Sequence, residues 1–143
     1  MSIEIGRYIS YALGRDNAPE LHKAISGRLS PVRLPENADT EVPWICYASA
    51  GIDEEDTKDG LLGEVNTVTL DIACRTYEEL LEVLRLIREA MKAAAPGWNS
   101  LDTAPFLIDE QRFHAGPEEY DEILQAYCRT ITYTITTEHH GYN

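Results

Sequence analysis

Asp53, Asp56 and Asp59 set three carboxylates at three-residue intervals in a short acidic run, the hard oxygen donors that a calcium ion takes. The ligand order and central glycine of an EF-hand loop do not fit this run, so the acids read as a solvated charge cluster. His139 and His140 are adjacent instead of one helical turn apart, as a helical zinc pair would be, and they belong to a polar tail. His114 lies near Glu110, Glu118 and Asp121 in sequence, an acid–base inventory with no nucleophile or phosphate cradle beside it; a solvated strand end is the simpler reading. Cys46, Cys74 and Cys128 are odd in number, far apart and set in apolar or alternating segments, which reads as buried reduced thiols. No P-loop, dinucleotide glycine pattern or serine elbow occurs. The eight tyrosines fall mostly on amphipathic faces and are assigned to core or subunit-interface packing. The expectation is a protein that is not an enzyme, with no catalytic residue, no cofactor and no metal.

Composition narrows the partners. Twelve Lys and Arg face 25 Asp and Glu, a formal charge of -13, whereas wrapping nucleic acid needs clustered cations; sequence-specific nucleic-acid binding is not expected. No apolar run approaches the roughly 18 residues of a membrane-spanning helix, and Met1-Ser2-Ile3-Glu4 lacks the basic-then-apolar start of a signal peptide. No membrane partner is expected, and the chain reads as cytoplasmic. With 143 residues, 43% of them hydrophobic and 26% charged, a single domain over 1-143 can bury its own core without metal or disulfide support.

The elements that must position these side chains centre on one strand feeding one long helix. Val68, Leu70, Ile72 and Cys74 alternate with Thr67, Thr69 and Asp71, the period of a half-buried strand. Thr76 stands three residues before Glu79, the spacing of a capping box, which predicts Thr76 as N-cap. Leu80, Val83, Leu84, Ile87, Met91 and Ala94 then recur on one helical face, while Glu82, Arg85, Glu89 and Lys92 fall mostly on others, until Pro96-Gly97 stops the helix. At its characteristic rise such a helix reaches about 28 Å, enough to cross a small sheet.

Upstream, Ile5, Tyr8, Ile9, Ala12 and Leu13 mark an N-terminal amphipathic helix, and Asn17 is expected to cap a short second helix opened by Pro19. Arg28 to Pro35 carries two prolines, which confines it to an edge strand or extended segment; Glu36 to Glu41 is a polar loop, and Trp44 to Ile52 is a strand. Downstream, Trp98 to Pro105 reads as a loop or irregular lead-in. Phe106 to His114 reads as a strand broken by Gly116-Pro117, and Leu124 to Thr137 as the clearest strand by composition, before a frayed tail over 138-143.

Between two of the strands, 53-63 holds five acids, one base and two glycines. Its charges repel one another in a compact hairpin, and its length exceeds a tight turn, so it is expected to be an extended acidic arm, mobile in the isolated subunit and ordered by assembly. Asp53, Glu54, Glu55, Asp56, Lys58, Asp59, Leu61 and Leu62 are the candidate subunit-contact residues. The predicted fold class is α+β: an antiparallel sheet of about four to five strands with a long helix and an N-terminal helix packed on one face.

Several stretches, taken in order, resemble the tail-completion or tail-terminator proteins of long-tailed phages and prophages. They are the N-terminal amphipathic helix, Arg28-Leu29-Ser30-Pro31-Val32-Arg33-Leu34-Pro35, Pro43-Trp44-Ile45-Cys46-Tyr47, Thr57-Lys58-Asp59-Gly60, the Val68 to Cys74 strand, Thr76-Tyr77-Glu78-Glu79 and the Thr-rich last strand. The resemblance runs from about Ile3 to Thr136, with no family pattern between Trp98 and Pro117. It implies a structural virion protein that caps the tail tube as a homo-oligomeric ring, commonly a hexamer, and joins it to the head–neck connector. The implied partners are the chain itself, the tail tube protein and a neck or connector protein. The implied location is the host bacterial cytoplasm during assembly and then the tail–neck junction of the virion. Two other classes fit the same residues: another neck component, and a small α+β ligand-binding domain or enzyme, whose mark would be a deep pocket with convergent polar groups. An arm that does not fold alone suits contact with a neighbouring subunit, and if DNA passes through a ring, part of the excess acid would repel its phosphates.

Overall fold

The computed structural model describes residues 2–32, 41–56 and 62–139, with side chains over 5–32, 41–54 and 63–138. Helices α1 (Ser2–Leu13) and α2 (Pro19–Ala24) precede strands β1 (Leu29–Pro31), β2 (Trp44–Asp56) and β3 (Leu62–Cys74). The long helix α3 (Tyr77–Asn99) comes next, and β4 (Leu107–Asp121) and β5 (Ala126–His139) complete one five-stranded sheet in the order β1-β2-β3-β5-β4. The ladders are antiparallel except for the short β1, which pairs parallel to β2 through Leu29 opposite Ile45. This is the expected α+β class.

Strand alternation decides which face is covered. Val68, Leu70, Ile72 and Cys74 of β3 and Ile131, Tyr133 and Ile135 of β5 are buried against Ile5, Tyr8, Ile9, Ala12 and Leu13 of α1 and the apolar stripe of α3. The Thr residues between them face the other way, where the Thr130 hydroxyl donates to Asp71 Oδ1 across the strands at 2.7 Å. Thr76 is the N-cap of α3, its hydroxyl accepting from the Glu79 N–H at 3.1 Å, while Glu79 Oε1 accepts from the Arg75 N–H at 2.7 Å. The box thus reaches one residue further back than the spacing predicts. A buried relay ties the layers together: the Tyr8 hydroxyl donates to Gln111 Oε1 of β4, and Gln111 Nε2 donates to the Met91 carbonyl of α3 at 3.1 Å.

Five boundaries depart from the sequence reading, each for a tertiary reason. Helix α3 runs through Pro96-Gly97 to Asn99. The backbone bond that Pro96 cannot make is offset by side-chain bonds from the last turn: the Trp98 indole N–H donates to the Phe106 carbonyl at 2.9 Å, and the Asn99 side chain bonds both the N–H and the carbonyl of Ile108. Gly97 has a packing role, since a Cβ there would stand 2.5 Å from the Tyr11 hydroxyl. Strand β4 likewise passes Gly116-Pro117, where the register jumps from Ala115 opposite Ile131 to Glu118 opposite Arg129. An edge-strand bulge tolerates proline, and the Arg129 Nε–H, donating at 2.7 Å, satisfies the Gly116 carbonyl.

Asn17 does not cap α2. Ala18 holds that position without a side-chain bond, and the Asn17 amide instead donates to the carbonyls of Ala12 and Ala90, joining α1 to α3. The frayed tail begins later than expected, because Glu138 and His139 pair with Gly63 and Leu62 of β3; residues 140–143 lie outside the described residues. The expected arm is strand over much of its length, with Asp53, Glu54, Glu55 and Asp56 opposite Val65, Glu64, Gly63 and Leu62. The ladder wins over charge repulsion because exposed carboxylates in water repel one another by only about 1 kcal/mol or less, while β5 supplies a second row of backbone partners to Leu62 and Gly63.

Candidate interaction surfaces

Asp53 and Glu54 are exposed at the far end of β2. Glu54 lies directly opposite Glu64 in the ladder. The side chains of Glu55, Asp56 and Leu62, and all of Lys58, Asp59 and Leu61, lie outside the described residues, as do Arg33 to Pro35 and most of the Glu36 to Glu41 loop. Beyond Tyr47 the outer edge of β2 is no longer covered by β1, whose register ends at Pro31 opposite Tyr47.

The carboxylates near His114 do not converge on it. His114 is exposed on β4 opposite Thr132, while Glu110 pairs with Arg112 at 2.9 Å and Glu118 stands 3.7 Å from Arg129. Asp121 Oδ1 accepts the N–H groups of Ile123 and Leu124, both at 2.9 Å, and so shapes the β4–β5 turn. That turn presents Ile123 at 95% exposure beside Leu124 and Tyr120, with Tyr120 and Tyr127 rings 5.0 Å apart and Tyr77 next to them. The tyrosines thus divide: Tyr8 and Tyr133 are core, Tyr77 and Tyr120 are exposed, and Tyr127 is half-buried against the core beside them.

The three thiols are free. Burial pushes the Cys74 thiol up to about 12, with Glu79 and then Cys128 adding to the rise, and burial is also the main cause of the upward shifts at Cys46 and Cys128. Since only the thiolate attacks a disulfide reagent, the native protein should react slowly at about pH 8, with Cys74 slowest, and all three thiols should react together in denaturant. A native Cys74 that reacts as fast as a free thiol would contradict this placement.

Two open grooves flank the helical layer. One, of about 620 Å³, lies between α1 and the β1–β2 edge and is lined by Ile5, Ile9, Val32, Tyr47 and Val68 among others. The second, of about 570 Å³, separates α3 from β4 and β5. Its apolar lining is Leu81, Leu84, Met91, Phe113 and Tyr133, and Leu81 is 43% exposed. Arg85, Arg88 and Lys92 line it as well, against a single acid, Glu89. The Arg88 guanidinium sits 4.5 Å over the Phe113 ring, a cation–π contact that holds it at the groove; Arg85 bonds Glu82 and, at 2.8 Å, Glu89. Burial pushes Tyr133 up to about 12, with Arg88 opposing the rise. The sequence reading missed this groove. Its signal is a second stripe on α3, with Leu81, Leu84, Arg85, Arg88 and Lys92 falling within one sector beside the buried face.

No protein-family model matches the chain, and no curated protein matches it by sequence. Among solved structures, the fold is similar to a chain of the virion of a native gene transfer agent (GTA) particle. The TM-score is 0.59 at 8% sequence identity, over 82% of this chain and 84% of that one. At such identity the likeness is one of fold.

Proposed function

We propose that this chain is a structural virion protein that caps a tail tube as a homo-oligomeric ring, a hexamer on the tail-terminator resemblance, and joins it to the head–neck connector. The observation that carries the reading is the fold likeness to a virion chain over more than four-fifths of both molecules. Two features support it. The large concavities are open grooves suited to docking a protein surface, and the acidic end of β2 and the cationic groove lie at different flanks of one sheet. On this reading the chain is not an enzyme, its partners are itself, the tube protein and the connector, and it assembles in the host cytoplasm. Among the described residues no helix is long and apolar enough to cross a membrane.

Electron microscopy of the purified chain, alone and mixed with tail tubes, tests the proposal. Ring density at one end of each tube is expected. A chain that stays monomeric and never decorates tube ends would refute it, and rings that bind the connector but not the tube would assign the chain to another position in the neck.

A further inference from the structure

The groove between α3 and β4 inverts the charge of the molecule around it. The chain carries 12 bases against 25 acids, yet the groove lining holds three bases, Arg85, Arg88 and Lys92, and one acid, Glu89. Its floor is apolar, with Leu81, Leu84, Phe113 and Tyr133, so it offers what an acidic, partly apolar segment needs: contact area below and cations at the rim. The complementary segment lies on the same chain but out of its own reach. Asp53-Glu54-Glu55-Asp56 ends β2 toward one edge of the sheet, and Gln111 and Phe113 place the groove at β4, the opposite edge.

We infer that the α3–β4 groove receives the acidic end of the β2–β3 ladder from a second copy of this chain. The contact rests on the ring reading above and gives it a mechanism of closure. Because donor and acceptor surfaces differ and occupy opposite flanks, a pair of copies keeps one groove and one ladder end free, and the contact propagates until the rotation closes. Arg88 suits the role because its stacking on Phe113 fixes the cation before the partner arrives, which reduces the ordering cost of binding.

Four full-length chains test the contact by sedimentation or mass photometry: wild type, R88E/K92E, D53K/E54K, and the chain bearing all four reversals. Circular dichroism on each confirms the fold. Either pair of reversals should raise the concentration needed for assembly by roughly tenfold or more, and the combined chain should return to within about threefold of wild type. Mixing the two defective chains in equal amounts should recover assembly, because an alternating order sets the reversed groove of one against the reversed ladder end of the other and leaves the unaltered groove and ladder end to meet at the next junction. Wild-type assembly should weaken as salt shortens the screening length from about 30 Å toward about 3 Å. If the wild type assembles and the reversals change nothing, or the combined chain fails to recover, the groove assignment falls while the ring stands. A wild type that remains monomeric at every concentration and at tube ends overturns the ring and this contact with it.

Discussion

Replacing Trp98 with alanine should destabilise the chain by about 3 to 5 kcal/mol, the range for deleting a large buried aromatic. The indole is 6% exposed and packs edge-on against Tyr8 and Tyr11, each 5.4 Å away between ring centroids, with Phe106 at 5.3 Å. It therefore joins α1, the last turn of α3 and the segment entering β4. Loss of its N–H bond to the Phe106 carbonyl adds a polar contribution to the cavity. Trp98→Phe separates the two contributions: most of the packing survives, the bond does not, and a cost of about 1 to 2 kcal/mol is expected. Urea unfolding monitored by circular dichroism reads both. An alanine variant within about 1 kcal/mol of wild type would mean that the end of α3 is not anchored as described.

Trp98 also shows why part of the fold was legible in the sequence and part was not. The period-2 run of β3, the capping spacing of Thr76 and Glu79 and the helical spacing from Leu80 to Ala94 are local patterns, and each corresponds to an element in the structure. Pro96-Gly97 and Gly116-Pro117 are local stop signals too, and both are overridden. In each case the compensating partner is distant in sequence: Phe106 and Ile108 for the end of α3, Arg129 for the Gly116 carbonyl. Propensity reports the cost of a proline where it stands and cannot report a bond supplied from elsewhere in the chain. Asn17 fails as a cap because the helix begins one residue later, with Ala18 at the N-cap, and its side-chain NH2 is oriented onto the Ala12 carbonyl and, distant in sequence, that of Ala90 on α3.

The candidate surface was half legible. Five acids between residues 53 and 63 are visible in any reading, and their exposure at Asp53 and Glu54 accords with their type. The cationic groove is invisible until α3 is placed on the sheet. Arg85, Arg88 and Lys92 are interspersed with acids along the helix and read as ordinary solvated charge. What separates them is azimuth: Glu82 lies outside the groove, whereas Arg88 and Lys92 share a sector with Leu81 and Leu84 that faces β4 and β5. Leu81, an apolar side chain outside the buried stripe and 43% exposed once α3 is placed, marks that second stripe in the sequence.

Joining Glu54 directly to Glu64 through an Asn-Gly turn, in place of residues 55–63, should leave the fold standing and remove assembly. The two glutamates already face each other across the ladder, and Asn-Gly supplies the positive backbone angles that a two-residue hairpin turn requires. The losses within one chain are small: the pairs Glu55–Gly63 and Asp56–Leu62, and the partners that Leu62 and Gly63 give to His139 and Glu138 of β5. None of the buried core residues lies in the deleted segment among those described, and a shorter connection costs less closure entropy, so the melting temperature should stay within about 3 °C of wild type. The shortened chain keeps Asp53 and Glu54 but lacks Glu55, Asp56, Lys58, Asp59, Leu61 and Leu62, which hold most of the acid and both leucines available to a neighbouring subunit. The concentration required for assembly should therefore rise by roughly tenfold or more, measured by sedimentation on the same samples whose melting was recorded. A shortened chain that melts like wild type and assembles like wild type would reduce 55–63 to a dispensable extension of the ladder, and recognition in the proposed ring would then rest on Asp53 and Glu54, which it keeps, or on another surface such as the exposed Tyr120, Ile123 and Leu124 turn.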